Sequence, residues 1–307
     1  MRRAAGVGSR IGRAAAIAAL ALPASGCAGG VLDPAGPVGA DDAHILIDAL
    51  LIMLAIVIPT ILLAFWMAWR YRASNTKAEY LPYWSYSGRI EAVVWSIPIL
   101  TIMFIGGVIW IGSYRLDPFK ALPSKSPPLE VQVVSLDWKW LFIYPQQGVA
   151  SVNQLVVPAG TPVHFSITSG SVFNTFFVPR LGSMIYAMPG MVSQLNLQAD
   201  RPALLYGRSA HFSGDGFSDM DFQVLSVAPA QFAAWAQGAK GGTGPMLDQA
   251  AYAQLAKQSQ KVAPLTFRGV DPQLFQAIAA QRLPPAPGPE PENPSHAGRE
   301  VATGGRH

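Results

Sequence analysis

The sequence predicts a membrane-anchored protein: two transmembrane α-helices forming an antiparallel hairpin, an all-β sandwich, and a helical C-terminal arm. Three observations predict it. Only 13% of the 307 residues are charged, about half the share usual in a soluble domain. Two stretches, Ala49–Trp69 and Ala92–Gly112, run for 21 residues each without a charge, and about 20 residues cross a ~30 Å hydrocarbon core. From about Glu130 the apolar pattern becomes alternating and rich in β-branched residues, broken by Pro-Ala-Gly and Pro-Gly turns, as short strands are.

Residues 1–26 read as an export signal. Arg2, Arg3, Arg10 and Arg13 make a basic start, and Ala14–Leu22 is an apolar core too short to span a bilayer. The segment ends in Ala24-Ser25-Gly26-Cys27, which resembles a bacterial lipobox. Cys27 is therefore expected to be the lipidated first residue of the mature chain, with residues 27–43 leading into the membrane. It is the only cysteine, so no intramolecular disulfide can form.

The first transmembrane helix is expected over residues 44–69, a loop over 70–89 and the second helix over 90–112. Eleven Val, Ile, Leu and Phe residues lie between Val93 and Ile111; they favour insertion by about 3–7 kcal/mol. Pro59 and Pro98 fall inside the helices, where the carbonyls they free need other donors. The loop carries Arg70, Arg72, Lys77 and Arg89 against Glu79, and no Lys or Arg occurs from Cys27 through Trp69. The positive-inside rule places that loop in the cytoplasm and both ends of the hairpin outside. Trp66, Trp69, Trp110 and Tyr114 lie near helix ends, as interfacial anchors do.

The sandwich is expected over residues 113–230. Trp138 and Trp140 are two apart in DWKWLFIY, a spacing that puts both on one face of a strand as packing residues. After Pro229 three stretches, AQFAAWAQGAK, LDQAAYAQLAKQSQKV and DPQLFQAIAAQRL, read as helices of an arm spanning 231–282. Residues 283–307 are rich in Pro, Gly and charge and are expected to form no structure.

Two segments of the outer domain carry a family resemblance: SVFNTFFVPRLGS from Ser171 to Ser183, and YGRSAHFSGDGFSDMDF from Tyr206 to Phe222. Both resemble subunit II of the heme-copper respiratory oxidases, whose domain is a cupredoxin-like sandwich. In its cytochrome c oxidase members a His in the first segment and Cys-x3-Cys-x3-His-x2-Met in the second hold the binuclear copper A centre. The matching positions here are Asn174, Ser209, Ser213, Phe217 and Met220. The spacing is kept and only the Met remains. Serine hydroxyls stay protonated near neutral pH and are hard, weak ligands, and a phenyl ring has no donor atom. No metal and no cofactor is therefore expected in this chain. His211 stands where the family usually has a Glu that serves magnesium. With Asp215, Asp219 and Asp221 it reads as a solvated Gly-rich loop.

The resemblance, which covers Cys27 to about Leu283, is closest to subunit II of the cytochrome bo-type ubiquinol oxidases. It implies a proton-pumping complex of a bacterial inner (plasma) membrane that oxidises quinol and reduces oxygen to water. Heme and copper are expected in subunit I. The expected partners are subunit I, the other subunits, ubiquinol as substrate of the complex, and membrane lipid, with no nucleic acid and no cytochrome c. The N-terminus and the sandwich are expected on the periplasmic side.

Glu91 opens the second helix, and in the family a Glu in the matching motif lies at the mouth of a proton path into subunit I. Its other reading is a helix N-terminal carboxylate, stabilising by about 0.3–1 kcal/mol and close in sequence to Arg89. From Ser113 to Ala230 seven acids face seven bases. This balance lacks the negative surplus that would steer a basic donor such as cytochrome c. Two alternatives stay open: a cytochrome c oxidase subunit II with an altered metal site, and a stand-alone membrane-anchored cupredoxin-like lipoprotein that binds a periplasmic ligand.

Overall fold

The structure is a computed structural model and describes residues 30–79, 81–124, 126–182 and 184–288. Cys27 and the expected export signal, residues 1–26, lie outside the described residues. The chain divides into two compact units, Asp41–Asp117 and the residues before and after it.

In the first unit, helix α1 (Pro37–Arg70) and helix α2 (Gly88–Arg115) overrun their charge-free spans at both ends. Both are apolar on every side and leave most of those side chains uncovered, as a helix that faces lipid does. α1 starts on Pro37, which needs no N–H partner in a first turn. It stops where Arg72 folds back: Nη1 donates to the Trp69 carbonyl at 3.0 Å and the guanidinium lies 5.1 Å from the centre of the Trp69 ring. α2 begins with Glu91 in its first turn and ends with Arg115 in its last, each charge matched to the helix dipole. Pro59 and Pro98 lie within continuous helix, and the hydroxyls of Thr60, Ser96 and Thr101 bond back to carbonyls four residues earlier. The helices approach closely at Gly112, where any Cβ would come within 2.8 Å of Ile45 Cδ1. A small residue at that point lets the backbones meet.

The second unit is built from ten strands in order: β1 (Leu129–Leu136), β2 (Lys139–Tyr144), β3 (Val149–Val152), β4 (Gln154–Pro158), β5 (Pro162–Ser169), β6 (Asn174–Phe177), β7 (Ile185–Ala187), β8 (Ser193–Gln198), β9 (Ala203–Ser209) and β10 (Asp221–Val227). The arm adds helix α3 (Pro229–Gly241), β11 (Met246–Leu247), α4 (Gln249–Leu255), β12 (Leu265–Phe267), β13 (Gly269–Val270) and α5 (Leu274–Ala279). One sheet runs β12-β3-β2-β1-β5-β8 and the facing sheet β4-β10-β9-β6-β7. β1 pairs with β5, and β4 with β10, in parallel. Aromatic rings fill the space between the sheets: Phe176 stacks on Phe222 at 5.3 Å, and Trp140 and Phe142 meet both.

The helical arm is more than helices. β12 pairs with β3 and so becomes the edge of the first sheet. α4 and α5 cover that sheet's outer face, packing Tyr252, Leu274, Phe275 and Ile278 over Val134, Leu136, Leu141 and Ile143. This explains the unbroken apolar run WLFIY, because β2 is buried on both faces.

Two sequence expectations need correction. Trp138 and Trp140 do not share a strand face. Trp138 belongs to the turn between β1 and β2 and has a φ of 61°, so the alternation that the spacing assumed is broken there. The tail does not become structureless at Leu283. Residues 283–288 run along the sandwich, with the Ala286 N–H donating to the Gly170 carbonyl at 2.8 Å and the Gly288 N–H to Asp137 Oδ2 at 3.0 Å. Proline keeps such a strap extended, and Ala286, 6% exposed, is small enough to bury. Residues 289–307 lie outside the described residues.

Candidate functional site

β6 and β9 are neighbours in the second sheet, with Phe176 opposite Ser209. This pairing brings the first residue of β6, Asn174, beside the last residue of β9, Ser209. The chain then loops through a single 3-10 turn, Phe217–Asp219, before entering β10. The loop is closed at its base by the Ser209 N–H donating to the Met220 carbonyl at 3.0 Å. Asn174, Ser209, Ser213 and Met220 converge and are all buried.

Each of these side chains is a partner of the others. The Ser209 hydroxyl donates to Asn174 Oδ1, which also accepts from the Thr175 N–H at 2.9 Å. Asn174 Nδ2 donates to Met220 Sδ at 3.2 Å, and the Ser213 hydroxyl faces the same sulfur at 4.0 Å. Phe217 differs: it is half-buried, and its ring meets Phe212 at 5.6 Å. The donors are thus an amide, two hydroxyls and a thioether, already bonded to one another. A copper pair needs two bridging thiolates and an imidazole on each metal, so these residues do not fit it. Among the described residues no group of three or more His, Cys, Asp or Glu could hold a metal ion. His211 is exposed and rests edge-on against Phe173 at 4.7 Å.

The loop is anchored from the other sheet by Trp138, whose Nε1 donates to the Ser213 carbonyl at 3.0 Å. Gly216 lies flat against the indole, where a Cβ would collide with the ring. A bulky residue with positive φ costs on the order of 1–3 kcal/mol, and these two contacts hold Trp138 there.

The residues on either side of Trp138 escaped the sequence reading. Asp137 is buried and takes the Ser171 hydroxyl and the Gly288 N–H. Lys139 is 1% exposed, and its Nζ donates to the carbonyls of Asp137 (3.0 Å) and Lys257 (2.8 Å) and to Ser259 Oγ (2.7 Å). Burial lowers its pKa from 10.5 to about 8, against the opposing pull of the Asp137 charge. One turn therefore ties the copper-position loop to the arm and the strap. The signal was present, since a lysine within a strand as apolar as KWLFIY must find buried acceptors. Asp137 and Lys139 leave the surface tally together, so six acids and six bases remain of seven and seven.

Glu91 is exposed in the first turn of α2, its N–H bonded to the Ser87 carbonyl at 3.0 Å. No ion pair joins it to Arg89 among the described residues.

Residues 100–227 match the family described as cytochrome c oxidase subunit II, periplasmic domain, and residues 243–282 match the COX aromatic rich motif. The sandwich with its substituted ligand positions is thus of the oxidase subunit II class. The ubiquinol oxidase subunit 2 of Acetobacter aceti is 48% identical over 263 residues, 85% of this chain and 85% of that one. The cytochrome bo(3) ubiquinol oxidase subunit 2 of Pseudomonas aeruginosa is 46% identical, over 84% of this chain and 78% of that one. The periplasmic domain of subunit II of cytochrome oxidase from Bradyrhizobium japonicum is 23% identical, with a TM-score of 0.37 over 39% of this chain and 97% of that one. The chain belongs to the ubiquinol oxidase subunit 2 family.

Proposed function

We propose that this chain is the subunit of a proton-pumping bo-type ubiquinol oxidase that carries no redox centre. The hemes and the copper of the oxygen-reducing site lie in subunit I, and quinol delivers its electrons there without passing through this sandwich. The observation that carries the reading is the hydrogen-bonded set Asn174–Ser209–Met220–Ser213 at the copper A positions. Two neutral hydroxyls cannot bridge two copper ions. The balanced surface charge supports a membrane quinol over a basic protein as electron donor.

The hairpin anchors the subunit in the bacterial inner membrane. The four basic residues of the 70–89 loop favour the cytoplasmic side for it, which leaves the sandwich and the N-terminus in the periplasm. Cys27 carries lipid there, and Glu91 stands at the proton entrance on the opposite side. The complex purified through this chain in mild detergent is expected to show heme absorption and the copper of the oxygen-reducing site. A further pair of copper ions, with the near-infrared and spin-resonance signals of a shared electron, would overturn the reading.

A further inference from the structure

At the hairpin end opposite the 70–89 loop, α1 and α2 enclose a cleft of about 320 Å³. Its rim carries Asp41, His44 and Asp48 from α1 and Arg115 from α2, and its walls include Ile45 and Ile111. Positions 41, 45 and 48 recur at helical spacing and share one face of α1, so the two carboxylates are about 10 Å apart along the axis. Asp48 and Arg115 are the first charged residues beyond the apolar spans. Trp110 and Tyr114, their rings 5.4 Å apart, mark the same level on α2, where aromatic side chains sit at a membrane boundary. The cleft is thus apolar toward the hydrocarbon and doubly charged toward the headgroups. Among the described residues neither Asp48 nor Arg115 has an ion-pair partner within the chain.

We propose that this cleft binds one aminophospholipid of the outer leaflet, with its primary ammonium on the Asp48 carboxylate and its phosphate on Arg115. A lipid matches both signs of charge and also the apolar wall below them. A primary ammonium offers N–H donors to a carboxylate, whereas a choline headgroup has none to offer. Arg115 presents the planar donor fork that phosphate accepts. An anionic lipid such as phosphatidylglycerol lacks the cation, and two carboxylates against one guanidinium oppose its net charge. The two signs of charge on the rim name the ligand class. The site lies wholly within the hairpin unit and does not depend on the quinol reading.

The test is lipid retention by the whole oxidase complex. The complex is washed with a delipidating detergent, then its bound phospholipid is counted by native mass spectrometry and identified after extraction. The wild type is expected to keep a phosphatidylethanolamine that Asp48→Asn and Arg115→Gln each weaken about tenfold, while Arg115→Lys keeps most of it. Add-back to stripped complex should be selective for phosphatidylethanolamine over phosphatidylcholine and phosphatidylglycerol. Heme content and subunit composition show that each variant has assembled, and the two variants are read separately so that either alone decides. Equal retention in wild type and variants, equal uptake of the three lipids, or loss of a protein subunit in place of the lipid would each overturn the proposal.

Discussion

The Asn174 carboxamide accepts and donates at once. Its carbonyl accepts from Ser209 and from the Thr175 N–H, while its amino group donates to Met220. Each such bond contributes about 0.5–1.5 kcal/mol, so the loop keeps its course without metal. The spacing kept along it is the one on which the copper A resemblance rests. With Asn174→His, Ser209→Cys, Ser213→Cys and Phe217→His combined, the domain is expected to bind two copper ions as a coloured, spin-sharing centre. Each single change should bind none, because each metal needs both thiolates and its own imidazole. Copper titration with visible absorption and spin resonance checks this, and a folded quadruple variant without copper would show that the loop has drifted. Lys139 gives a second residue-scale prediction. Its folded pKa of about 8 lies below the unfolded 10.5, so between these values the unfolded chain binds more protons. Stability therefore rises with pH through that window, by up to a few kcal/mol on the scale of about 1.4 kcal/mol per pKa unit. Burial, reinforced by the Asp137 charge, raises Tyr252 to about 12, which reverses the slope above the ordinary tyrosine range. The unfolding midpoint measured from pH 8 to 10 should climb in the wild type and lose that climb in Lys139→Met.

Among the elements, α5 and the strap change what counts as the domain. The sequence suggested a sandwich that ends near Ala230. Yet Leu141 and Ile143 of β2 are covered only once Tyr252, Phe267, Phe275 and Ile278 are in place. Burying a side chain of this size is worth about 1.5–3 kcal/mol. A soluble piece cut after Ala230 is therefore expected to aggregate or unfold, whereas one cut after Gly288 should give a cooperative thermal transition. A stable fold from the shorter piece would deny the arm its structural part. The start of α2 carries a separate expectation. Glu91 is exposed and lacks an ion pair with Arg89, so the helix-end reading rests on the dipole alone. Glu91→Gln is expected to slow quinol oxidation with heme content unchanged. Equal turnover over the whole pH range would leave only the contribution to the helix.

For the molecule as a whole, two apolar helices hold the chain far more firmly than one acyl group can. Cys27→Ala is accordingly expected to stay in the membrane fraction. Intact-mass measurement of the wild-type chain should show diacylglycerol on Cys27, and an unmodified mass would remove the lipobox reading. The hairpin was legible in the sequence, because a charge-free run long enough to cross hydrocarbon has few other uses. Also legible were the amide, the two hydroxyls and the phenyl ring at the positions matching the copper A ligands, since side-chain chemistry at fixed spacing needs no coordinates. Strand alternation was legible as far as Leu136 and failed at Trp138, where a long-range bond to Ser213 and the flat face of Gly216 hold a turn that local propensity disfavours. How the arm is used was not legible in the sequence. The pairing of β12 with β3, two of the three acceptors around Lys139 and the strap on Asp137 are contacts between residues more than one hundred positions apart. Their energy comes from surfaces that exist only after both sheets have formed, so no window of sequence contains it.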